Sequence, residues 1–151
     1  MSISDTISRT LADRSGAAGV EFALMLPPLV LFLIGVVDVG SLAYQQTEVS
    51  AAAHAGALYA IRNGGSSLTN VASAVTSATP LTVQATPAPQ QVKACVSGSS
   101  LVATSGTTCA GGGTPGTYIQ VNAQATFTPM VAWSGLSMPS TLTAQAMVRT
   151  Q

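Results

Sequence analysis

The residues best placed to make a chemically specific contact are two carboxylates that flank the longest apolar run. Glu21 and Asp38 enclose sixteen uncharged residues, Phe22 to Val37. A helix over this run, at ~1.5 Å per residue, reaches roughly 24 Å, which is short of the ~30 Å hydrocarbon core of a bilayer. A spanning helix must therefore extend beyond one carboxylate. That group then lies at lipid depth, where an unpaired charge costs about 2.5 to 3.5 kcal/mol and favours a partner; Asp38 fits either there or at the outer interface.

No catalytic or metal site is expected elsewhere in the sequence. His54 is the only histidine, and no serine, cysteine or carboxylate is arranged with it in a catalytic pattern. Cys95 and Cys109 are spaced too widely to form a zinc pattern with it. If their half of the chain lies outside the cytoplasm, a disulfide is favoured over metal binding or free thiols. We therefore expect no cofactor and no enzymatic activity.

The composition excludes several classes of protein. Of the 151 residues, 47% are hydrophobic and only 7% are charged, which is unlike a free cytosolic enzyme. Five Lys and Arg balance five Asp and Glu, and no basic run interrupts the sequence. A nucleic-acid partner is therefore not expected.

The basic residues predict how the chain is oriented in a membrane. Arg9 and Arg14 precede the apolar run, and the next basic residue is Arg62. Basic residues are retained on the cytoplasmic side. Residues 1–16 are therefore expected to be a cytoplasmic leader or tail, with the distal half of the chain across the membrane.

A single long helix is expected over residues 17–63, apolar in its first half and amphipathic in its second. Ala52, Gly56 and Ala60 recur at four-residue spacing and form a smooth strip on one face, against which another element should pack closely. Asn63-Gly64-Gly65 is a strong helix stop, because these residues accept the left-handed conformation. The helix is thus longer than usual for a globular protein.

Residues 64–151 predict a small β-rich domain. Alternating apolar and polar residues indicate strands with one covered face, and the amphipathic half of the long helix is the expected cover. The fold class is therefore α+β, with one long N-terminal helix packed on a small antiparallel sheet. The expected elements are a short helix within Ser66–Ala78, strands at Leu81–Thr86, Gln91–Val96, Tyr118–Phe127 and Thr141–Arg149, and an exposed loop over Ser97–Gly116.

The first part of the chain carries a family resemblance. Arg14 to Pro28 reads RSGAAGVEFALMLPP, and after the apolar stretch follow Asp38-Val-Gly40 and an alanine-rich helix with Ala55-Gly56-Ala57. These residues resemble the TadE-like proteins of tight-adherence (Flp-type) pilus systems over about residues 14–63. The resemblance implies a pilin-like fold and a minor pseudopilin, a single-pass protein of the bacterial inner membrane that serves an adhesive pilus or its assembly platform.

The resemblance also implies a processing site. In processed relatives a prepilin peptidase cuts after a small residue, leaving glutamate and an aromatic at mature positions five and six. Cleavage between Gly16 and Ala17 would place Glu21 and Phe22 there. The Glu21 carboxylate would then pair with the new α-ammonium group of Ala17 in a neighbouring subunit. In the alternative, the leader is retained and Glu21 lies at the cytoplasmic interface.

Three functions from different classes are consistent with the sequence. The first is a minor pseudopilin or membrane-anchored assembly component, with its distal domain in the periplasm or on a surface pilus. Its partners would be other pseudopilins, pilin or platform proteins. The second is a secreted binding protein or enzyme released by signal peptidase after Ala43, because Ser41-Leu-Ala43 resembles a small-residue cleavage site. The third is a membrane anchor for an enzymatic partner.

Overall fold

The computed structural model of the chain describes residues 16–133, 135 and 137–150. The expected leader, including Arg9 and Arg14, lies outside the described residues except for Gly16. The chain divides after Gly40 into two compact units, and we call the second, Ser41–Gln151, the head unit. The α+β class is confirmed. In chain order, the elements are helices α1 (Ala17–Arg62) and α2 (Leu68–Thr76), then strands β1 (Gln90–Ser97), β2 (Ser100–Ala103), β3 (Gly116–Thr126) and β4 (Thr141–Arg149).

Helix α1 ends at the glycines that the sequence marks as a stop. The Gly65 N–H donates to the Ala60 carbonyl at 2.8 Å, and the Gly64 N–H donates to the Ile61 carbonyl at 3.3 Å. This pair of bonds is the Schellman motif, which satisfies carbonyls that the helix itself leaves free. Gly64 and Gly65 both adopt positive φ, at 58° and 67°.

Gly65 is also a point of close approach between the end of α1 and the sheet. A Cβ atom built on Gly65 would collide with Cδ1 of Ile119, on the central strand β3. Gly64 has open space around it. Glycine at position 65 thus allows both the backbone conformation and the contact with Ile119.

Helix α2 confirms the short helix expected after the stop. The Ser67 hydroxyl caps its first turn by accepting from the Asn70 N–H at 3.4 Å. Val71 and Val75 are buried on one face, and Leu68 packs against the same core. The cap and the apolar spacing together position α2 beside α1 in the head unit.

The sheet is antiparallel, with strand order β2-β1-β3-β4. Strand β3 is central: it pairs Gln90 with Gln120 on the β1 side, and Tyr118 with Arg149 on the β4 side. The predicted strands at Tyr118–Phe127 and Thr141–Arg149 are confirmed as β3 and β4, and Gln91–Val96 lies within β1.

One sheet face and the helices enclose the core of the head unit. The smooth strip on α1 is buried at Ala52, Gly56 and Ala60. A Cβ on Gly56 would lie 2.5 Å from Cγ2 of Val75 and 2.9 Å from Cγ1 of Val121, so α2 and β3 are the elements that pack closely there. The sheet contributes the inward-facing residues that the alternation predicts: Ile119, Val121, Ala123, Ala125, Phe127, Leu142, Ala144, Ala146 and Val148.

Two predictions about the irregular regions are wrong. Strand β2 and its hairpin with β1 lie inside Ser97–Gly116, which the Gly, Ser and Thr content predicted to be loop throughout. Conversely, Leu81–Thr86 forms no strand, only an isolated bridge between Gln84 and Gln124. Pro80 and Pro87 flank that segment, and a proline can contribute no N–H donor to a longer ladder.

The outer face of β3 is more enclosed than simple alternation predicts. Tyr118 and Asn122 are both buried there, at 7% and 8% exposure. Asn122 Nδ2 donates to the Pro87 carbonyl at 3.2 Å, so the segment before β1 lies over this part of the strand. A Cβ on Gly116 would lie 3.0 Å from Cε2 of Tyr118, which shows that the ring lies close over the Gly116 backbone.

Candidate membrane and subunit interface

The apolar half of α1, which we define as Ala17–Gly40, presents its large side chains to the outside. Phe22, Leu24 and Phe32 are each more than 60% exposed. Among the described residues, α1 is the one helix that is long and apolar enough to cross a membrane. A monomer in water rarely exposes so continuous an apolar surface, because the hydrophobic effect favours its burial. This half of α1 is therefore a candidate surface for lipid or for partner helices.

Glu21 lies one turn inside the start of this surface. The first helical hydrogen bond runs from the Val20 N–H to the Gly16 carbonyl at 3.2 Å, so the Gly16–Ala17 bond lies at the start of α1. Glu21 is exposed, and Phe22 beside it is 63% exposed. An exposed carboxylate among apolar side chains is available to a charged group of another molecule.

Asp38, at the other end of the apolar half, has a different environment. Its side chain is 1% exposed, whereas Val37 and Val39 on either side are 50% and 54% exposed. Every buried side-chain nitrogen and oxygen among the described residues has a hydrogen-bond partner. Burial of a carboxylate is tolerated only when such partners replace water. The buried Asp38 carboxylate is therefore hydrogen-bonded within the chain, whereas the Glu21 carboxylate is exposed.

The structure does not bring the two carboxylates together into one site. Glu21 and Asp38 are separated by about 25 Å along α1, at ~1.5 Å per residue. His54 is exposed on the later part of the helix. Within the described residues, no group of three or more His, Cys, Asp and Glu side chains is placed to hold a metal ion.

The two cysteines do meet, far along the chain from both carboxylates. A disulfide joins Cys95, on β1, to Cys109, with a Cα–Cα distance of 5.7 Å. Strand β2 lies between the two cysteines in the sequence, so the bond closes a covalent loop around an edge strand of the sheet. The disulfide thus ties the segment after β2 back to β1.

Sequence reasoning missed two polar contacts that organise the head unit. The Gln46 amide on α1 donates to the Thr143 carbonyl on β4 at 3.1 Å. Asn122 anchors the segment at Pro87 across the outer sheet face. A glutamine after the apolar run gives no signal of such a contact. An asparagine inside an alternating strand is unfavourable enough to suggest a side-chain hydrogen bond.

Comparison with known proteins assigns the first part of the chain. Residues 16–58 match the family model described as TadE-like protein. This chain carries a TadE-like region. No curated protein and no solved structure matches the chain.

The TadE-like region includes both the exposed apolar residues and part of the buried residues of α1. It begins at Gly16, contains both carboxylates, and continues to Leu58, past the buried residues Ala52 and Gly56. It covers less than a third of the 151 residues, and the sheet lies wholly outside it. The TadE-like family is associated with Tad pilus systems and is structural rather than enzymatic. The match therefore supports a pilus-associated component with a helical membrane anchor.

Proposed function

We propose that this protein is a minor pseudopilin, or a membrane-anchored assembly component, of a bacterial tight-adherence pilus. One observation carries the proposal. The first half of α1 exposes a continuous apolar surface, and the second half of the same helix is buried against the sheet. One helix can thus hold the head unit to a membrane or to a helical filament core. The TadE-like match over residues 16–58 supports the pilus system in particular.

The proposed topology places the N-terminus in the cytoplasm and the head unit in the periplasm. Arg9 and Arg14 before the apolar run support this orientation, because basic flanks stay on the cytoplasmic side. The Cys95–Cys109 disulfide supports it as well, since such bonds persist in oxidising compartments. In this arrangement the protein is a single-pass protein of the inner membrane.

The proposed processing site is the Gly16–Ala17 bond. Its position at the start of α1 would leave Ala17 as the first residue of the mature helix. The new α-ammonium group would then be able to pair with the exposed Glu21 carboxylate of a neighbouring subunit, with Phe22 packing beside it. Pairing would neutralise two charges that lipid or a filament core disfavours. A prepilin peptidase, pilin and the assembly platform are the proposed partners.

Release by signal peptidase after Ala43 is the competing proposal. Helix α1 runs without interruption through Ala43 and Tyr44, and the TadE-like region also extends across that bond. Both observations favour a retained helix. A retained helix fits both a pilus component and an anchor for a separate enzyme, and the experiment below distinguishes these two roles.

The decisive experiment uses the full chain in the membrane of its native host. N-terminal sequencing should find Ala17 if the protein is processed, or Met1 if it is an intact anchor, and Tyr44 would establish secretion instead. A topology reporter fused after Gln151 should be active only outside the cytoplasm. Deletion of the gene should abolish or reduce piliation. Normal pili in the deletion strain, together with stable co-purification of a soluble enzyme, would overturn the pilus role.

A further inference from the structure

The outer face of the sheet carries an ordered array of uncharged polar side chains. We call the side chains of Gln84, Gln124, Thr143, Asn122 and Gln145 the amide face. Gln84 pairs with Gln124, Gln124 with Thr143, and Asn122 with Gln145. The array therefore consists of two adjacent rows that cross three chain segments, about 4.8 Å apart from segment to segment.

The backbone fixes this array firmly. Gln84 and Gln124 exchange two hydrogen bonds, N–H to carbonyl in each direction, both at 2.8 Å. Asn122 holds the neighbouring segment through its bond to the Pro87 carbonyl and accepts from Gln120 Nε2 at 3.4 Å. The backbone beneath the amide face is thus preorganised, which lowers the entropy that a ligand must remove on binding.

Three amides of the face are unused by the protein itself. Among the described residues, the side-chain amides of Gln84, Gln124 and Gln145 make no intramolecular hydrogen bond. Each offers a carbonyl acceptor and two N–H donors. Gln124 and Gln145 border a groove of about 410 Å³ between Pro87 and β4, a size within the range of small-ligand sites. Gln84 lines a smaller cleft beside it, which shares Gln124 with the groove.

The charge of the groove selects among ligand classes. None of its lining residues is charged, and the one charged residue on β3 and β4 is Arg149, which pairs with Tyr118 near the start of β3. A phosphate or sulfate would lack the cation that such ligands favour. An apolar peptide would lack large aliphatic side chains to bury against, because Pro87 is the one apolar side chain offered on this face and the lining alanines, Ala123 and Ala144, face the core.

A neutral carbohydrate needs neither a cation nor large aliphatic side chains in its binding site. Each sugar hydroxyl donates and accepts at once, as does each amide of the face, and a sugar ring brings no charge that the groove would have to neutralise. We propose that the amide face binds a segment of a neutral oligosaccharide, with Gln84, Gln124 and Gln145 hydrogen-bonded to its hydroxyl groups. This inference concerns the head unit and does not depend on which processing or assembly role the helix serves.

The test measures binding of the full chain, in detergent micelles, to defined oligosaccharides. The probes are neutral glucose and mannose oligomers of several units, with a uronic-acid oligomer as the charged comparison. We expect one or more neutral oligomers to bind and the charged oligomer to bind more weakly. Binding should shift the side-chain amide NMR signals of Gln84, Gln124 and Gln145, which gives a readout even when affinity is low.

Matched variants separate this site from nonspecific adsorption. The double variant Gln84→Ala/Gln124→Ala should lower affinity about tenfold or more, since each lost hydrogen bond to a ligand costs a sizeable factor. Its fold should persist, because the bridge uses backbone groups only. Gln91→Ala, on β1 outside the amide face, should bind as the unaltered protein does. Equal binding by both variants, preference for the charged oligomer, or selective binding of a neutral peptide in place of the oligosaccharides would overturn the proposal.

Discussion

The Gln46 amide on α1 donates a hydrogen bond, at 3.1 Å, to the carbonyl of Thr143 on the edge strand β4. Gln124 uses its backbone groups to pair with Gln84, on the side away from β4. Thr143 is paired with Gln124 in the antiparallel ladder, so the backbone N–H and carbonyl of Thr143 must point away from β3, outward from the sheet. Such outward groups at an edge are templates for an additional strand. The Gln46 amide occupies one of them.

Replacing Gln46 with alanine should therefore increase association between molecules. We expect Gln46→Ala to lower the free energy of unfolding by up to about 1 kcal/mol, because the bond is exposed to solvent, and to raise the dimer fraction at high concentration. Thermal unfolding and sedimentation in detergent measure the two effects. Gln45→Ala is the matched control, since no side-chain bond involves that neighbour among the described residues. Equal association of the two variants would contradict edge protection.

Gly56 is the position where the core has least room for a side chain. In Gly56→Ala, the new Cβ would lie 2.5 Å from Val75 Cγ2 and 2.9 Å from Val121 Cγ1. Overpacking of this kind costs about 1 to 3 kcal/mol, which exceeds the roughly 0.5 to 1 kcal/mol gained from alanine helix propensity. We expect a lower melting temperature in the full chain.

Gly40→Ala provides the control for that substitution. A Cβ at Gly40, in the same helix, has nothing within 4 Å. The propensity gain should then appear without the steric cost, so Gly40→Ala should melt no lower than the unaltered protein. If Gly56→Ala were as stable as Gly40→Ala, the close packing of α1 against α2 and β3 would be disproved.

Removing the disulfide should loosen one edge of the sheet selectively. Cys95 and Cys109 are separated by 14 positions, and closing a loop of this size is worth about 3 kcal/mol. In Cys95→Ala/Cys109→Ala we expect rapid hydrogen exchange at Ser100–Ala103, while the amides of β3 keep their protection. Reducing agent should have the same effect on the unaltered protein. Unchanged exchange in β2 would show that the hairpin is stable without the bond.

The role proposed for Glu21 predicts a defect in assembly rather than in membrane insertion. Glu21→Gln removes the charge that would pair with a neighbouring α-ammonium group, so piliation should fall severalfold while membrane levels stay normal. Electron microscopy of pili and fractionation of membranes measure the two outcomes. Glu48→Gln, on the same helix but in the head unit, should leave piliation unaffected. Full piliation in Glu21→Gln would remove the pairing role.

The sequence predicts the elements that have strong periodicity. The apolar run, the strip at Ala52, Gly56 and Ala60, and the double-glycine stop predict the extent of α1 to within one residue of its end at Arg62. Alternation predicts the inward faces of β3 and β4 because each has one side against the core. Long elements with one buried face leave a clear pattern in a sequence.

The remaining features depend on contacts that periodicity does not encode. Strand β2 is short and exposed, and its pairing with β1 across Gly98 is invisible in a Ser- and Thr-rich stretch. Asn122 is buried because Pro87 lies over it, a relation between residues 35 positions apart. The burial of Asp38 likewise could not be inferred, since the sequence allowed either lipid depth or the interface.

Gly65 has a consequence for how this sequence can change over evolutionary time. Its backbone conformation disfavours any side chain, and Ile119 independently fills the space that a Cβ would need. Gly64 meets only the first restriction, so asparagine is an acceptable replacement there. Among natural variants we therefore expect glycine to be invariant at position 65 and to be replaced in some sequences at position 64, even though the two glycines are adjacent.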